Sequence, residues 1–312
     1  MKSKVLVAGG GGFIGSALVE ELAASGHEVA VMTTGHLSPK YPVRAIPLDR
    51  WHPEAVAGAE SSARYDWIFN LAAYGVDPGQ TDPEAARLAN TELPLAFVDL
   101  AMRTGARAFV QAGSAFEYAE LAERRRLRED DPLESVKHYA ATKAAGSLGV
   151  VEAARKRGLN AVVARLFGVY GAGERPWRLL PSLHGNLTKG QSVPLSEGSQ
   201  VRDFLYVGDA ASGLVSLAGA IETGAHAPEI VNLCSGEEVT VRTFAETVAD
   251  ALGAPRALLQ FGAIPMRSRE ITYLVGDVRR LHRITQWRPA YSLERGIAAA
   301  VAGLSAGKGS VG

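Results

Sequence analysis

The sequence predicts an α/β fold: a doubly wound parallel sheet with a smaller C-terminal α/β region. Three observations carry this. Apolar, β-branched runs alternate with stretches of helical periodicity through the first half, the pattern of strands joined by crossover helices. Glycines crowd the first junction between such a run and a helix, at Gly9, Gly12 and Gly15. Beyond Gly168 the rhythm loosens into Gly-, Pro- and Ser-rich stretches, which marks a second region.

The elements follow in order. "KVLVAG" is the first strand, and Ile14, Ala17, Leu18 and Leu22 then recur at helical spacing. Gly26 stops that helix and "HEVAVMT" is the second strand. "YDWIFNLAA" and "ARAFVQAGS" are buried strands, and "NTELPLAFVDLAMRTG" between them lines Leu93, Phe97, Leu100 and Ala101 along one helical face. The helix "HYAATKAAGSLGVVEAARKRG" leads to the strand "NAVVARLFGVYG". "VRDFLYVGDAASGLVSLAGAI" reads as a short strand and a helix, and "EIVNLCSG" as one more strand. Residues 1–167 and 204–233 are therefore expected to form a dinucleotide-binding domain. Residues 168–203 and 234–304 would form a smaller substrate domain, and 305–312 a flexible tail.

Composition excludes several classes. The chain of 312 residues is 47% hydrophobic, and its 33 basic and 33 acidic side chains give no net charge. Nothing there draws it to nucleic acid or to an anionic membrane. The run Arg124-Arg125-Arg126 is met at once by Glu129, Asp130 and Asp131 and reads as a solvated loop or helix end. Cys234 is the only cysteine, so neither an internal disulfide nor a cysteine metal cluster is expected, and the seven histidines are scattered. "VLVA" is too short for a signal-peptide core and no stretch reaches membrane-span length, so a cytoplasmic location is expected.

The glycines form G-x-x-G-x-x-G between strand and helix. Such a turn lets a pyrophosphate approach the backbone, where free helix N–H groups and the helix dipole favour negative charge. "HYAATKAA" places Tyr139 and Lys143 four apart, on one helix face. A phenol is a poor base at neutral pH, and a nearby ammonium lowers its pKa, so the pair can exchange a proton with an alcohol or carbonyl oxygen. Ser114 sits at the end of a strand, where active sites of such sheets gather. No G-x-S-x-G surrounds it, which excludes a serine hydrolase of that type.

With "GGGGFIGS", "NLAA" and Y-x-x-x-K in this order, almost the whole chain resembles the extended branch of the short-chain dehydrogenases/reductases, which act mostly on nucleotide-activated sugars. The resemblance implies a Rossmann-type fold with Ser114, Tyr139 and Lys143 catalytic. It implies a dinucleotide held by Gly9, Gly12, Phe13, Ile14, Thr33, Thr34, His36, Asp49, Leu71, Ala72, Ala73, Tyr139 and Lys143. It also implies a nucleotide-diphosphate sugar held by Ser114, Ala115, Asn186, Arg202 and Arg267, no metal, and a homodimer through the helices near Asn90 and His138.

Three departures refine this reading. Where dehydrating members carry Asp-Glu after the Ser/Thr, this chain has Ala115 and Phe116, neither able to carry a proton. Thr33 stands where NAD-using members usually hold the ribose diol with an acid, so NADP(H) is favoured over NAD(H), with Thr33, Thr34, His36 and Lys40 as candidates for the 2′-phosphate. Gly168 replaces a substrate-phosphate Asn, with Asn186 as a substitute. The resulting expectation is an oxidoreductase acting at C4 of a nucleotide-activated hexose, foremost an NDP-4-keto-6-deoxyhexose 4-ketoreductase. The alternatives are a 4-epimerase with tightly bound NAD, and a non-catalytic NAD(P)-binding sensor or scaffold.

Overall fold

A computed structural model describes residues 2–35, 37, 41–59, 63–266 and 270–307. The chain runs β1 (Lys4–Ala8), α1 (Phe13–Ala24), β2 (Glu28–Thr33), β3 (Arg44–Pro47), α2 (Pro53–Gly58) and β4 (Trp67–Asn70). Then come α3 (Pro83–Arg87), a π-helical turn (Leu88–Glu92), α4 (Leu93–Thr104), β5 (Ala108–Ser114), α5 (His138–Arg157) and β6 (Ala161–Leu166). The second half holds β7 (Gly168–Tyr170), α6 (Leu179–Leu187), β8 (Val193–Leu195), β9 (Val201–Arg202), β10 (Phe204–Tyr206), α7 (Val207–Ile221) and β11 (Glu229–Leu233). It closes with β12 (Val239–Thr240), α8 (Val241–Ala251), β13 (Leu259–Phe261), β14 (Tyr273–Leu274), α9 (Arg279–Ile284) and α10 (Leu293–Gly307).

Seven strands form one sheet in the order β3-β2-β1-β4-β5-β6-β11, all neighbours parallel. The order reverses between β1 and β4, and a crevice at the carboxyl ends of the strands is the ligand site of such sheets. Alternation along β1 explains the layers. Val5 and Val7 pack with Leu18 and Leu22 of α1 and Leu214 and Leu217 of α7. Leu6 and Ala8 face Phe97 and Leu100 of α4 and Val150 and Val151 of α5 on the other side. Each fully buried Leu or Phe contributes about 1.5–3 kcal/mol, so both faces need their helices.

A separate core joins α6, α8 and α10 through Leu183, Phe244, Val248, Ile297 and Ala300. Phe204 of β10 stacks on Phe244 with ring centroids 4.1 Å apart. Two expectations change here. The single strand expected over "NAVVARLFGVYG" is two, because Gly168 N donates to Asp203 O at 2.9 Å and turns β7 out of the sheet to pair with β10. The tail expected from residue 305 begins as helix, since α10 runs through Ser305 and Ala306 to Gly307.

Candidate active site

The glycine turn is shaped as a cradle. Gly9 has φ +77°, a conformation that a side chain rarely tolerates. A Cβ on Gly15 would lie 2.1 Å from Gly9 O, so only glycine lets α1 start this close to β1. Gly12 caps α1 without a side-chain hydrogen bond, and no acidic residue stands in the first turn. The N–H groups of that turn, with half-buried Phe13 and Ile14, therefore meet no competing carboxylate. A dinucleotide phosphate fits this donor set.

Leu71 and Ala72 border the cradle from the end of β4: a Cβ on Gly9 would come within 3.0 Å of the Leu71 carbonyl carbon and of Ala72 N. Their loop, which continues into Ala73, is pinned by fully buried Asn70, which accepts from Ala72 N at 3.1 Å and donates to Gln111 Oε1 at 2.8 Å. At the end of β2, Thr33 is buried and its hydroxyl accepts from Gly35 N at 3.1 Å, while Thr34 is exposed. Asp49 is exposed just beyond β3. His36 and Lys40 lie outside the described residues.

The structure joins Ser114 to Tyr139 by a hydrogen bond and sets Lys143 one turn further along α5. Ser114 ends β5, and its hydroxyl accepts from Phe116 N at 3.2 Å while hydrogen-bonding the Tyr139 phenol. Tyr139 lies in the first turn of α5, its ring against Gly75, where a Cβ would come within 2.9 Å of it. One turn on, buried Lys143 donates from Nζ to Ala112 O at 2.7 Å. The electrostatics differ from the expected ammonium-lowered phenol. Burial is the largest influence on Tyr139 and pushes its pKa up, opposed by the Ser114 hydrogen bond. Burial pulls Lys143 down, opposed by the charge of Glu117.

Glu117 was invisible to motif reasoning, which stopped at Ala115 and Phe116. It is fully buried, accepts from Ser114 N at 2.8 Å and Ser147 Oγ at 2.9 Å, and pairs with fully buried Arg165 at 2.8 Å. The signal was present as S-x-x-E, a capping box closed over the single turn Ala115–Glu117.

On the substrate side, Ala115 is buried next to Ser114. Arg202 is held on β9, donating to Ile271 O at 2.6 Å and Val201 O at 2.9 Å, with Glu270 at 3.5 Å; burial lowers its pKa. Asn186, the expected substitute for the substrate-phosphate Asn, lies in α6 and donates back to Ser182 O at 2.8 Å. Arg267 lies outside the described residues. The glycine at 168 has a steric cause: a Cβ there would fall 2.6 Å from Asp203 O, leaving no room for Asn. One further residue acts on the phenol. Arg178, N-terminal to α6, lowers the Tyr139 pKa by its charge and lies 3.6 Å from Glu174. Among the described residues no cluster suits a metal ion, and no helix is long and apolar enough to cross a membrane.

Comparison with known proteins agrees with this architecture. The model of the NAD dependent epimerase/dehydratase family matches residues 5–234. A dTDP-glucose 4,6-dehydratase of Streptomyces griseus is 29% identical, over 97% of this chain and 94% of its own length. A dTDP-6-deoxy-L-talose 4-dehydrogenase (NAD(P)(+)) of Kitasatospora kifunensis is 28% identical, over 95% of this chain and 93% of its own. The solved structure of MoeE5 in complex with UDP-glucuronic acid and NAD is 25% identical with a TM-score of 0.82, covering 97% of this chain and 99% of its own.

Proposed function

The chain belongs to the NAD dependent epimerase/dehydratase family, and from that premise we propose that it reduces the C4 keto group of an NDP-4-keto-6-deoxyhexose. The observation that carries this reading is a site with one proton donor. Ala115 and Phe116 carry no acid, and the adjacent carboxyl, Glu117, is fully buried and committed to Arg165. Removing water from a sugar needs an acid and a base, whereas reducing a ketone needs one proton.

When bound, the nicotinamide supplies the hydride. Tyr139 gives the proton to the C4 oxygen, and burial, which raises its pKa, keeps the phenol protonated for that task. Ser114, hydrogen-bonded to that phenol, would polarise the carbonyl by donating its hydroxyl to the same oxygen. Lys143, fixed on Ala112 O, holds its Nζ one helical turn from the phenol. Gly9, Gly12, Phe13 and Ile14 would hold the pyrophosphate, and Arg202 the substrate diphosphate through charge-assisted bonds. Thr33 and Thr34 present no carboxylate that would repel a 2′-phosphate, which favours NADP(H) over NAD(H). The relative named for a 4-dehydrogenase supports redox chemistry at C4, and its NAD(P)(+) admits either cofactor. Exposed Leu95, Met102 and Leu148 on α4 and α5 support a homodimer.

A second reading, a nucleotide-sugar 4-epimerase, uses the same Tyr139 first as base and then as acid. Incubation with UDP-, GDP-, CDP- and dTDP-linked sugars separates the two. Stoichiometric NADPH consumption is the expected outcome, and sugar inversion without it would show the epimerase. Tyr139→Phe should lower kcat by about 10²–10⁴-fold, the usual contribution of a positioned proton donor. Unchanged turnover in that variant would exclude the phenol as acid, and a parent inert towards every sugar would favour the sensor.

A further inference from the structure

Behind the reacting groups lies a buried charge pair with a specific set of contacts. Arg165 of β6 stands opposite Gly113 of β5 in the sheet register. A Cβ on Gly113 would meet Glu117 Oε1 at 2.9 Å and Arg165 Cγ at 3.1 Å, so the glycine opens the space the pair occupies. Glu117 Oε1 receives both Ser114 N and Ser147 Oγ, and Oε2 receives Arg165 Nε. Ser147 is one turn beyond Lys143 on α5, so residues 139, 143 and 147 share a face. One carboxylate thus ties the strand end bearing Ser114 to the helix bearing Tyr139 and Lys143.

We propose that Glu117, held by Arg165, is a positioning residue that fixes Ser114 against Tyr139 and Lys143 and sets the electric field at their proton-transfer site. The proposal rests on the role given to Tyr139 above. Stability alone is a poor account of the pair, because well-packed apolar residues often serve as well as a buried ion pair. This one also leaves Arg165 Nη2 buried without an acceptor. The surrounding groups define the field. Tyr139 is faced by Glu117 and Arg178, Lys143 by Glu117, and Arg165 by Glu117, the ring of Tyr118 at 4.5 Å and the Glu129 carbonyl at 3.2 Å. Removing the Glu117 charge should let the phenol ionise at lower pH and let Lys143 lose its proton more readily.

The test uses Glu117→Gln and, because that variant strands a buried guanidinium, the neutral double variant Glu117→Gln with Arg165→Met. The first readout is the ultraviolet titration of the Tyr139 phenol in the free protein, taken as the difference from the same background carrying Tyr139→Phe. The second is kcat and KM against pH on the sugar nucleotide that the parent turns over. The expected result is a phenol titrating at lower pH, with kcat down about tenfold or more and KM within about twofold, the sign of lost transition-state positioning. Ser147→Ala, which cuts the tie but keeps the charge, should lower kcat without moving the pH profile. A folded double variant with the parent's titration and kcat, whatever its melting temperature, would overturn the proposal. If the parent turns over no sugar nucleotide, the ketoreductase reading fails by itself and the phenol titration still decides the role of Glu117.

Discussion

Burial pushes the Glu174 carboxyl up to about 7, although it accepts from Gly171 N at 3.0 Å and lies near Arg178. In the unfolded chain it titrates near 4.5. The folded protein therefore binds the extra proton between these values, so its stability is fullest below the unfolded value and falls as pH rises through the folded one. At about 1.4 kcal/mol per unit, the loss has a ceiling of about 3 kcal/mol. Glu174→Gln mimics the protonated acid, so in denaturant titrations it should exceed the parent's stability at pH 8 and show a smaller gap at pH 5. An equal gap at both pH values would remove burial as the cause. At this scale the sequence singled out Ser114, Tyr139 and Lys143 as candidates, because order and spacing carry such chemistry. It hid Glu117, Arg165 and Glu174, because a charged residue reads as solvated until a partner from another strand or turn is seen beside it.

The active-site helix is placed by a contact that no motif announces. A Cβ on Gly146 would lie 2.0 Å from Asn90 O, so α5 rests directly on the backbone of the π turn. Asn90 is buried within that turn, where it donates to Tyr74 O at 2.9 Å and accepts from Tyr74 N at 3.0 Å. Gly146→Ala should push α5 outward, lowering stability by about 1–3 kcal/mol, as overpacking does, and reducing kcat with it. Gly185→Ala in α6 meets nothing within 4 Å. That variant should raise stability by about 0.4–1 kcal/mol. Melting curves and turnover of the two variants check both signs. The strands with continuous apolar runs, β1, β2, β4 and β5, were legible from composition alone. β3 was not, because only Ile46 of its four residues is buried and no alternation can show. The break between β6 and β7 was hidden too, since it depends on Asp203 from a distant segment.

On the scale of the whole molecule, the outer faces of α4 and α5 leave Leu95, Met102 and Leu148 exposed at 36%, 38% and 51%. These helices touch each other, a Cβ on Gly149 falling 3.3 Å from Leu95. An apolar stripe shared by two neighbouring helices fits a twofold contact with a second copy. Sedimentation at micromolar concentration should give a dimer, and Leu148→Glu should give a monomer; a monomeric parent would count against this face.

The path of the chain has a consequence for how the protein comes into being. The sheet's outermost strand, β11, and the helix α7 that covers α1 are both made after the excursion through β7 to β10. While the ribosome is still working on residue 200, the side of α1 and the faces of β5 and β6 that α7 packs against have no cover. At about 5–20 residues per second, the nascent chain carries this open apolar face for seconds before α7 emerges. The half that carries the seven-stranded sheet is therefore closed by residues synthesised after part of its neighbour.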